Sequence, residues 1–270
     1  MQSAASDLSL LEEAAREAGA LARDLLTKPL DIRNKGEAGP VTNVDLAIEA
    51  LLTEKLRAAR PDYGWLSEET PDDPEARVRA SRVFMLDPID GTAAMIKRKP
   101  QYTICIGVAD GANAVAGAIY NPATDEMFLG AIGAGATMNG RAMRVTARDA
   151  LEGAHIVGSK AQLTDGRWRK PWPPLEIERR ESIAYRMAAV AAGQADATML
   201  FGWKHYWDIA AGAAIIAAAG GVITDTWGAP LQFDLREPRA PGVVASGAEL
   251  HPLLIERTSH FPDPRTKAKA

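Results

Sequence analysis

The chain has 270 residues, with 31 Lys+Arg against 35 Asp+Glu and a formal net charge of -4, 47% hydrophobic and 24% charged. These values describe an ordinary globular chain with room for a sizeable core, and they give no electrostatic footprint for a nucleic-acid polymer or an anionic membrane. A single cysteine, Cys105, excludes an internal disulfide and any multi-cysteine zinc or iron–sulfur site.

The N-terminal residues lack the basic start and apolar core of a signal peptide, so a soluble, cytoplasmic protein is expected. Leu8, Leu11, Ala15, Ala18, Leu21 and Leu25 recur at helical spacing and predict an amphipathic helix over 7–27 that ends near Pro29. A polar loop, Asn34 to Pro40, follows. Thr42 or Asn43 then caps a second helix whose apolar side carries Val44, Ile48, Leu51, Leu52 and Leu56. Asp45 falls in its first turn, where the helix dipole favours a carboxylate. The apolar run Val83 to Leu86 reads as a buried strand that stops at Asp87. Strands are expected over 102–109 and 113–120, joined at Asp110-Gly111, and over 126–131, with a tight turn at Asn139-Gly140. The second half alternates: strand near 154–158, helix 182–193, strand 196–201, helix 206–219, strands 222–224 and 242–246, helix 248–257. Residues 209–223 are the most apolar stretch but too short to cross about 30 Å of hydrocarbon. Residues 262–270 have no apolar anchor and read as a frayed tail. The whole predicts an α+β layered fold with a seam near 141–153, dividing the chain into halves 1–145 and 146–270.

The densest chemical signal is Leu86-Asp87-Pro88-Ile89-Asp90-Gly91-Thr92. Two carboxylates across a tight turn, with the Ile89 carbonyl between them, can share a hard cation such as Mg²⁺ or Mn²⁺. Taken alone, such a pair reads first as an Asx-rich turn whose carboxylates satisfy backbone N–H groups. Two further acidic segments add weight. Ser67-Glu68-Glu69-Thr70 follows an apolar Trp65-Leu66, and Trp207-Asp208 opens an Ala-rich helix. No Ser/His/Asp triad is visible, and the four histidines stand in no catalytic spacing.

In this order, Pro40-Val41-Thr42 with Asp45, the Glu68-Glu69 pair, the run 87–92, and Trp207-Asp208 followed by Ala219-Gly220-Gly221 resemble the inositol monophosphatase superfamily. The resemblance spans about residues 8 to 258. It implies a layered αβαβα sandwich, a homodimer, and a Mg²⁺-dependent, lithium-sensitive phosphomonoesterase with two or three metals. Carried over by position, it makes Glu68, Asp87 and the Ile89 carbonyl ligands of one Mg²⁺. Asp87, Asp90 and Asp208 would hold a second. Asp45 and Thr92 would orient and deprotonate the attacking water, and the backbone of Gly91 and Thr92 would hold the phosphate.

Members that cleave inositol phosphates carry a Glu seven residues before the helix-opening Asp; Phe201 stands there in this chain. The segment Phe201 to Asp208, with Trp203, Lys204 and His205, instead resembles the bacterial CysQ-type 3'(2'),5'-bisphosphate nucleotidases. Ala93 and Met95 depart from that pattern, which more often has Arg and Phe. Trp203 can stack on a base and Lys204 or His205 can pair with a second phosphate, although all are also ordinary packing or solvated residues. Ser159, Lys160 and Arg186 are further candidates for the leaving-group side. The expected substrate is a small phosphate monoester, adenosine 3',5'-bisphosphate ahead of inositol 1-phosphate or another sugar phosphate. A non-catalytic divalent-metal-binding protein and a two-carboxylate glycosidase are the readings from other classes.

Overall fold

Helix α1 (Ala5–Leu25) buries Leu11, Ala14, Ala15, Ala18 and Ala22 along one face, as its periodicity requires. The computed structural model describes residues 4–36, 39–164 and 166–269; Glu37 and Ala38 of the polar loop lie outside them. That loop joins two short antiparallel strands, β1 (Ile32–Asn34) and β2 (Pro40–Thr42). Helix α2 (Asn43–Ala59) starts immediately, with Thr42 as its cap: the Thr42 hydroxyl accepts from the Val44 N–H, and the Asp45 carboxylate accepts from the Thr42 N–H. This reciprocal arrangement satisfies donors that a helix start otherwise leaves orphaned.

The first half then builds a seven-stranded sheet in chain order: β3 (Gly64–Ser67), β4 (Arg82–Asp90), β5 (Thr103–Asp110), β6 (Asn113–Asn121), β7 (Glu126–Ala131), β8 (Gly135–Met138) and β9 (Arg141–Ala142). Only β3 and β4 run parallel. Two short helices, α3 (Pro74–Arg79) and α4 (Thr92–Ile96), flank β4. In the second half, β10 (His155–Val157), β11 (Glu176–Glu178), β12 (Ala197–Leu200), β14 (Val222–Thr224) and β16 (Val243–Ser246) make a five-stranded sheet in the order β11-β10-β12-β16-β14. A separate pair, β13 (Lys204–His205) with β15 (Arg239–Ala240), stands beside it. The remaining helices are α5 (Lys160–Thr164), α6 (Ile183–Ala191), α7 (Tyr206–Ala218) and α8 (Leu250–Thr258).

Alternation along the strands sorts the residues into layers. Ile104, Ile106 and Val108 of β5 pack with α1 and α2, whereas Cys105 and Ala109 face α6 and α7. On β10, Val157 meets Ala189 and Val190 of α6, and Ile156 meets Leu250 and Leu254 of α8. The result is the αβαβα sandwich expected from the resemblance, with α6 and α7 shared between the two sheets.

A row of glycines sets the depth of the central layer. Gly107, Gly117 and Gly130 are register partners across β5, β6 and β7. A Cβ on them would stand 2.8 Å from the Ala211 nitrogen, 2.5 Å from the Ala211 oxygen and 2.8 Å from the Ile215 Cα respectively. Helix α7 therefore lies with its backbone almost on the sheet, an approach that only hydrogen side chains below and small Ala residues above permit.

Two readings are corrected. Strand β4 does not stop at Asp87 but continues through Pro88 to Asp90. The C-terminal residues do not fray from Pro262 onward. They form a 3-10 helix over Pro264–Lys269, with the Arg265 guanidinium 3.0 Å from the Asp225 carboxylate.

Candidate active site

The irregularity in β4 aims the carboxylates. Asp87 pairs with Cys105 and Asp90 with Thr103, so three steps on β4 match two on β5. In a regular strand residues three apart face opposite sides. The extra residue of this bulge puts Asp87 and Asp90 on one side, and Pro88, which has no N–H to give a ladder, is tolerated there. Gly91 follows with φ +96, and a Cβ there would meet the Gln101 oxygen at 2.8 Å, so glycine is required at this turn.

Each carboxyl is held by the chain itself. The Ile89 N–H donates to Asp87 Oδ1 at 2.8 Å. Asp90 Oδ2 accepts from the Ser182 hydroxyl and the Ala184 N–H, both at 2.6 Å, at the start of α6. Asp45, on the first turn of α2, accepts through Oδ1 from the Thr92 hydroxyl at 2.9 Å, and that hydroxyl also lies 2.9 Å from the Ile89 carbonyl. Glu68 stands just past the end of β3, where its N–H donates to the Leu86 carbonyl. Asp208 is in the first turn of α7, brought over the sheet by the glycine row.

These five carboxyls feel one another. Burial pushes Asp87 well above the usual carboxylate range, and repulsion from Glu68, Asp90, Asp208 and Asp45 adds to it. Asp208 is likewise pushed well up by burial and then by Asp90 and Glu68, with Lys204 opposing. Burial also raises Asp45, Asp90 and Glu68. The structure thus brings Asp45, Glu68, Asp87, Asp90 and Asp208 together from four separate segments. Such a group with too few cations is the setting a hard divalent ion satisfies, because every donor, the Ile89 carbonyl included, is oxygen. The residues fit Mg²⁺ or Mn²⁺ in kind. Among the described residues no three His, Cys, Asp or Glu side chains are drawn tightly enough together to hold an ion as they stand. Lys35 places its ammonium 2.9 Å from Glu68 and 2.7 Å from Glu69, and Asp90 is bonded to the start of α6.

On the leaving-group side, Phe201 packs against Trp168 and Phe261, with ring centroids 5.8 and 5.4 Å away. Lys204 does not extend into solvent; its ammonium donates to the Phe201 and Trp203 carbonyls at 2.9 and 3.2 Å. His205 lies flat on Trp207 at 4.2 Å. Trp203 is exposed, with the Arg239 guanidinium 4.6 Å from its ring centroid. Arg186, held by the Arg180 carbonyl at 2.7 Å, acts electrostatically on Asp90. Ser159 lies at the end of β10, ahead of α5, which begins at Lys160.

Sequence reasoning missed four contributors. Lys35 reads in the sequence only as part of a polar loop. Glu49, buried on α2, accepts from the Ser67 hydroxyl at 2.6 Å and from the Thr70 hydroxyl, and so brackets Glu68 and Glu69. Ser182 caps α6 while donating to Asp90; a Ser before a helical run is a legible cap, but not its second bond. Arg239 reaches Trp203 only through the pairing of β13 with β15.

The inositol monophosphatase family model matches residues 4–261, and the chain belongs to that family. It is a phosphatase, hydrolysing phosphate monoesters. Over 214 residues it is 33% identical to the 3'(2'),5'-bisphosphate nucleotidase CysQ of Escherichia coli K12, covering 78% of this chain and 86% of that one. Over 234 residues it is 34% identical to the inositol-1-monophosphatase of Rhizobium meliloti, covering 82% and 86%. Among solved structures, the extragenic suppressor protein suhB of Bartonella henselae superposes with a TM-score of 0.81 at 26% identity, over 95% of this chain and all (100%) of that one.

Proposed function

We propose that this phosphatase is a Mg²⁺-dependent 3'(2'),5'-bisphosphate nucleotidase that converts adenosine 3',5'-bisphosphate to AMP and phosphate. The observation that carries the reading is Phe201. The position seven residues before Asp208 is an aromatic ring committed to Trp168 and Phe261, and it offers a polyol ring no acceptor. An unpaired buried hydroxyl costs about 1–3 kcal/mol, which disfavours inositol 1-phosphate. An aromatic segment, with Trp203 exposed and His205 stacked on Trp207, adjoins Asp208 and suits a flat base. The similarity to CysQ supports the same choice, and that to the Rhizobium inositol-1-monophosphatase supports the alternative, a sugar or inositol phosphatase.

Glu68, Asp87 and the Ile89 carbonyl would hold one Mg²⁺, and Asp87, Asp90 and Asp208 another. Bound there, the ions supply charge neutralisation for the phosphate oxygens and acidify the attacking water. The chain does the rest. Thr92 donates its hydroxyl proton to Asp45 or Ile89, leaving its oxygen lone pairs to accept from the water and fix its line of attack. Asp45, anchored by Thr42 at the start of α2, takes up the proton that the water loses. The turn at Gly91-Thr92 would seat the phosphate. The test is kcat/KM for adenosine 3',5'-bisphosphate against inositol 1-phosphate in Mg²⁺. A preference for the nucleotide is expected, and a clear preference for inositol 1-phosphate would reverse the assignment.

A further inference from the structure

We propose that Arg239 binds the non-scissile, second phosphate of the leaving group, a role for which Lys204 is the more obvious candidate by sequence. The proposal rests on the nucleotidase reading above and adds a specific residue to it.

Lys204 is already engaged. Its ammonium closes the 201–204 turn by donating to the Phe201 and Trp203 carbonyls, and the residue is half-buried. A cation that holds two backbone carbonyls would have to release both to meet an anion. Arg239 stands differently. It is the register partner of His205 in the antiparallel β13–β15 pair, so the two side chains share a face. His205 is the cap residue of α7, the helix that carries Asp208 in its first turn. The strand pair therefore ties Arg239 to the residue from which α7 starts. Its guanidinium lies over the ring of Trp203, a residue 36% exposed, and its Nε is buried with no hydrogen-bond partner among the described residues. Its one ion-pair partner among the described residues is the neighbouring Glu237, whose side chain is 64% exposed. Solvent-exposed pairs of this kind hold weakly.

The arrangement combines a planar, permanently charged fork with an aromatic surface and a stacked His205–Trp207 pair. Guanidinium groups match phosphate geometry with paired N–H donors, and aromatic faces accept bases without regard to their hydrogen-bonding edges. A ligand carrying both a flat base and a second phosphate would use each part. A simple monoester such as glycerol 2-phosphate would use neither. Binding exchanges the Arg239–Glu237 pair for an Arg239–phosphate pair and leaves the scissile phosphate at the carboxylate group.

The experiment compares kcat/KM for adenosine 3',5'-bisphosphate and glycerol 2-phosphate in wild type, Arg239→Ala, Arg239→Lys and Glu237→Gln, with thermal midpoints for each. The ratio of the two values is expected to fall about tenfold or more in Arg239→Ala, mostly through KM for the nucleotide. Arg239→Lys is expected to recover only part of it, because a lysine keeps the charge but not the fork. Glu237→Gln frees the guanidinium and is expected to lower the nucleotide KM severalfold, which tests the idea even if Arg239→Ala does not fold. An unchanged ratio in Arg239→Ala, or an unchanged nucleotide KM in Glu237→Gln, in an enzyme that cleaves the nucleotide, overturns the role of Arg239 alone. A wild type that does not cleave the nucleotide overturns the nucleotidase reading itself.

Discussion

A single methyl group added at Gly117 reports on whether the glycine row positions Asp208. In Gly117→Ala the new Cβ would lie 2.5 Å from the Ala211 oxygen, 2.7 Å from its Cα and 2.9 Å from its carbonyl carbon, where ordinary contact begins near 3.4 Å. The obstacle is helix backbone rather than a flexible side-chain tip, so α7 has to lift by about 1 Å or β6 has to sink by as much. Overpacking of this kind costs about 1–3 kcal/mol. That is small against a stability of about 5–15 kcal/mol, and at about 2–4 °C per kcal/mol the midpoint should drop by roughly 2–12 °C. The chain should therefore stay folded. Ala211 lies one helical turn beyond Asp208, so the carboxylate moves with it, and a misplacement of about 1 Å costs about 100-fold in rate. The assay is kcat for a phosphate monoester at saturating Mg²⁺, read beside a melting curve. Gly166→Ala, where an added Cβ meets nothing within 4 Å, is the matched control and should leave both unchanged. A Gly117→Ala enzyme with wild-type kcat and midpoint would refute the packing argument. One that loses stability but keeps kcat would refute the link from packing to Asp208.

Other outcomes follow from the same geometry. Asp87 and Asp208 have native pKa values above those of the unfolded chain, so the folded protein binds their protons more tightly. In metal-free protein the stabilising contribution of these two groups should be full below the unfolded carboxylate value, near 3.8, and be lost as pH rises through the native ones; an Asp87→Asn variant whose melting series in EDTA has the same pH dependence as wild type would contradict it. Asp87→Asn relieves the repulsion, so it should raise the metal-free midpoint at pH 8 while lowering turnover by orders of magnitude; near wild-type turnover would disprove the metal assignment. Glu49→Gln weakens the bracket on Glu68 and should raise the Mg²⁺ concentration for half-activity about 10–100-fold, measured by metal titration of activity. Li⁺ should inhibit where matched K⁺ does not, and full activity in millimolar-range Li⁺ would count against the metal assignment.

The sequence by itself determined what is local. Helical spacing located α1 and α2, because a 3.6-residue period needs only neighbours to be read. The run 87–92, the Glu68-Glu69 pair and the acid opening α7 suggested a carboxylate site only in combination, as motifs in the order the family resemblance supplies. A cap at Thr42 or Asn43 and an acid at Asp45 were legible because a helix start spans only a few residues; that Thr42 is the cap and bonds reciprocally with Asp45 came from the structure. What only the tertiary structure decided are the relations between distant segments. Nothing in the spacing of Gly107, Gly117 and Gly130 shows that they form one row; the register of three strands does. An Asp-Pro-Ile-Asp run on a regular strand would face its two acids apart, and the bulge that unites them shows only against the pairing of β5. Lys35, Glu49, Ser182 and Arg239 each act on a group far off in sequence or across a strand pair, through hydrogen bonds, ion pairs or ring contacts that reach only a few ångströms. Such forces depend on distance in space, so their partners appear once the chain has folded.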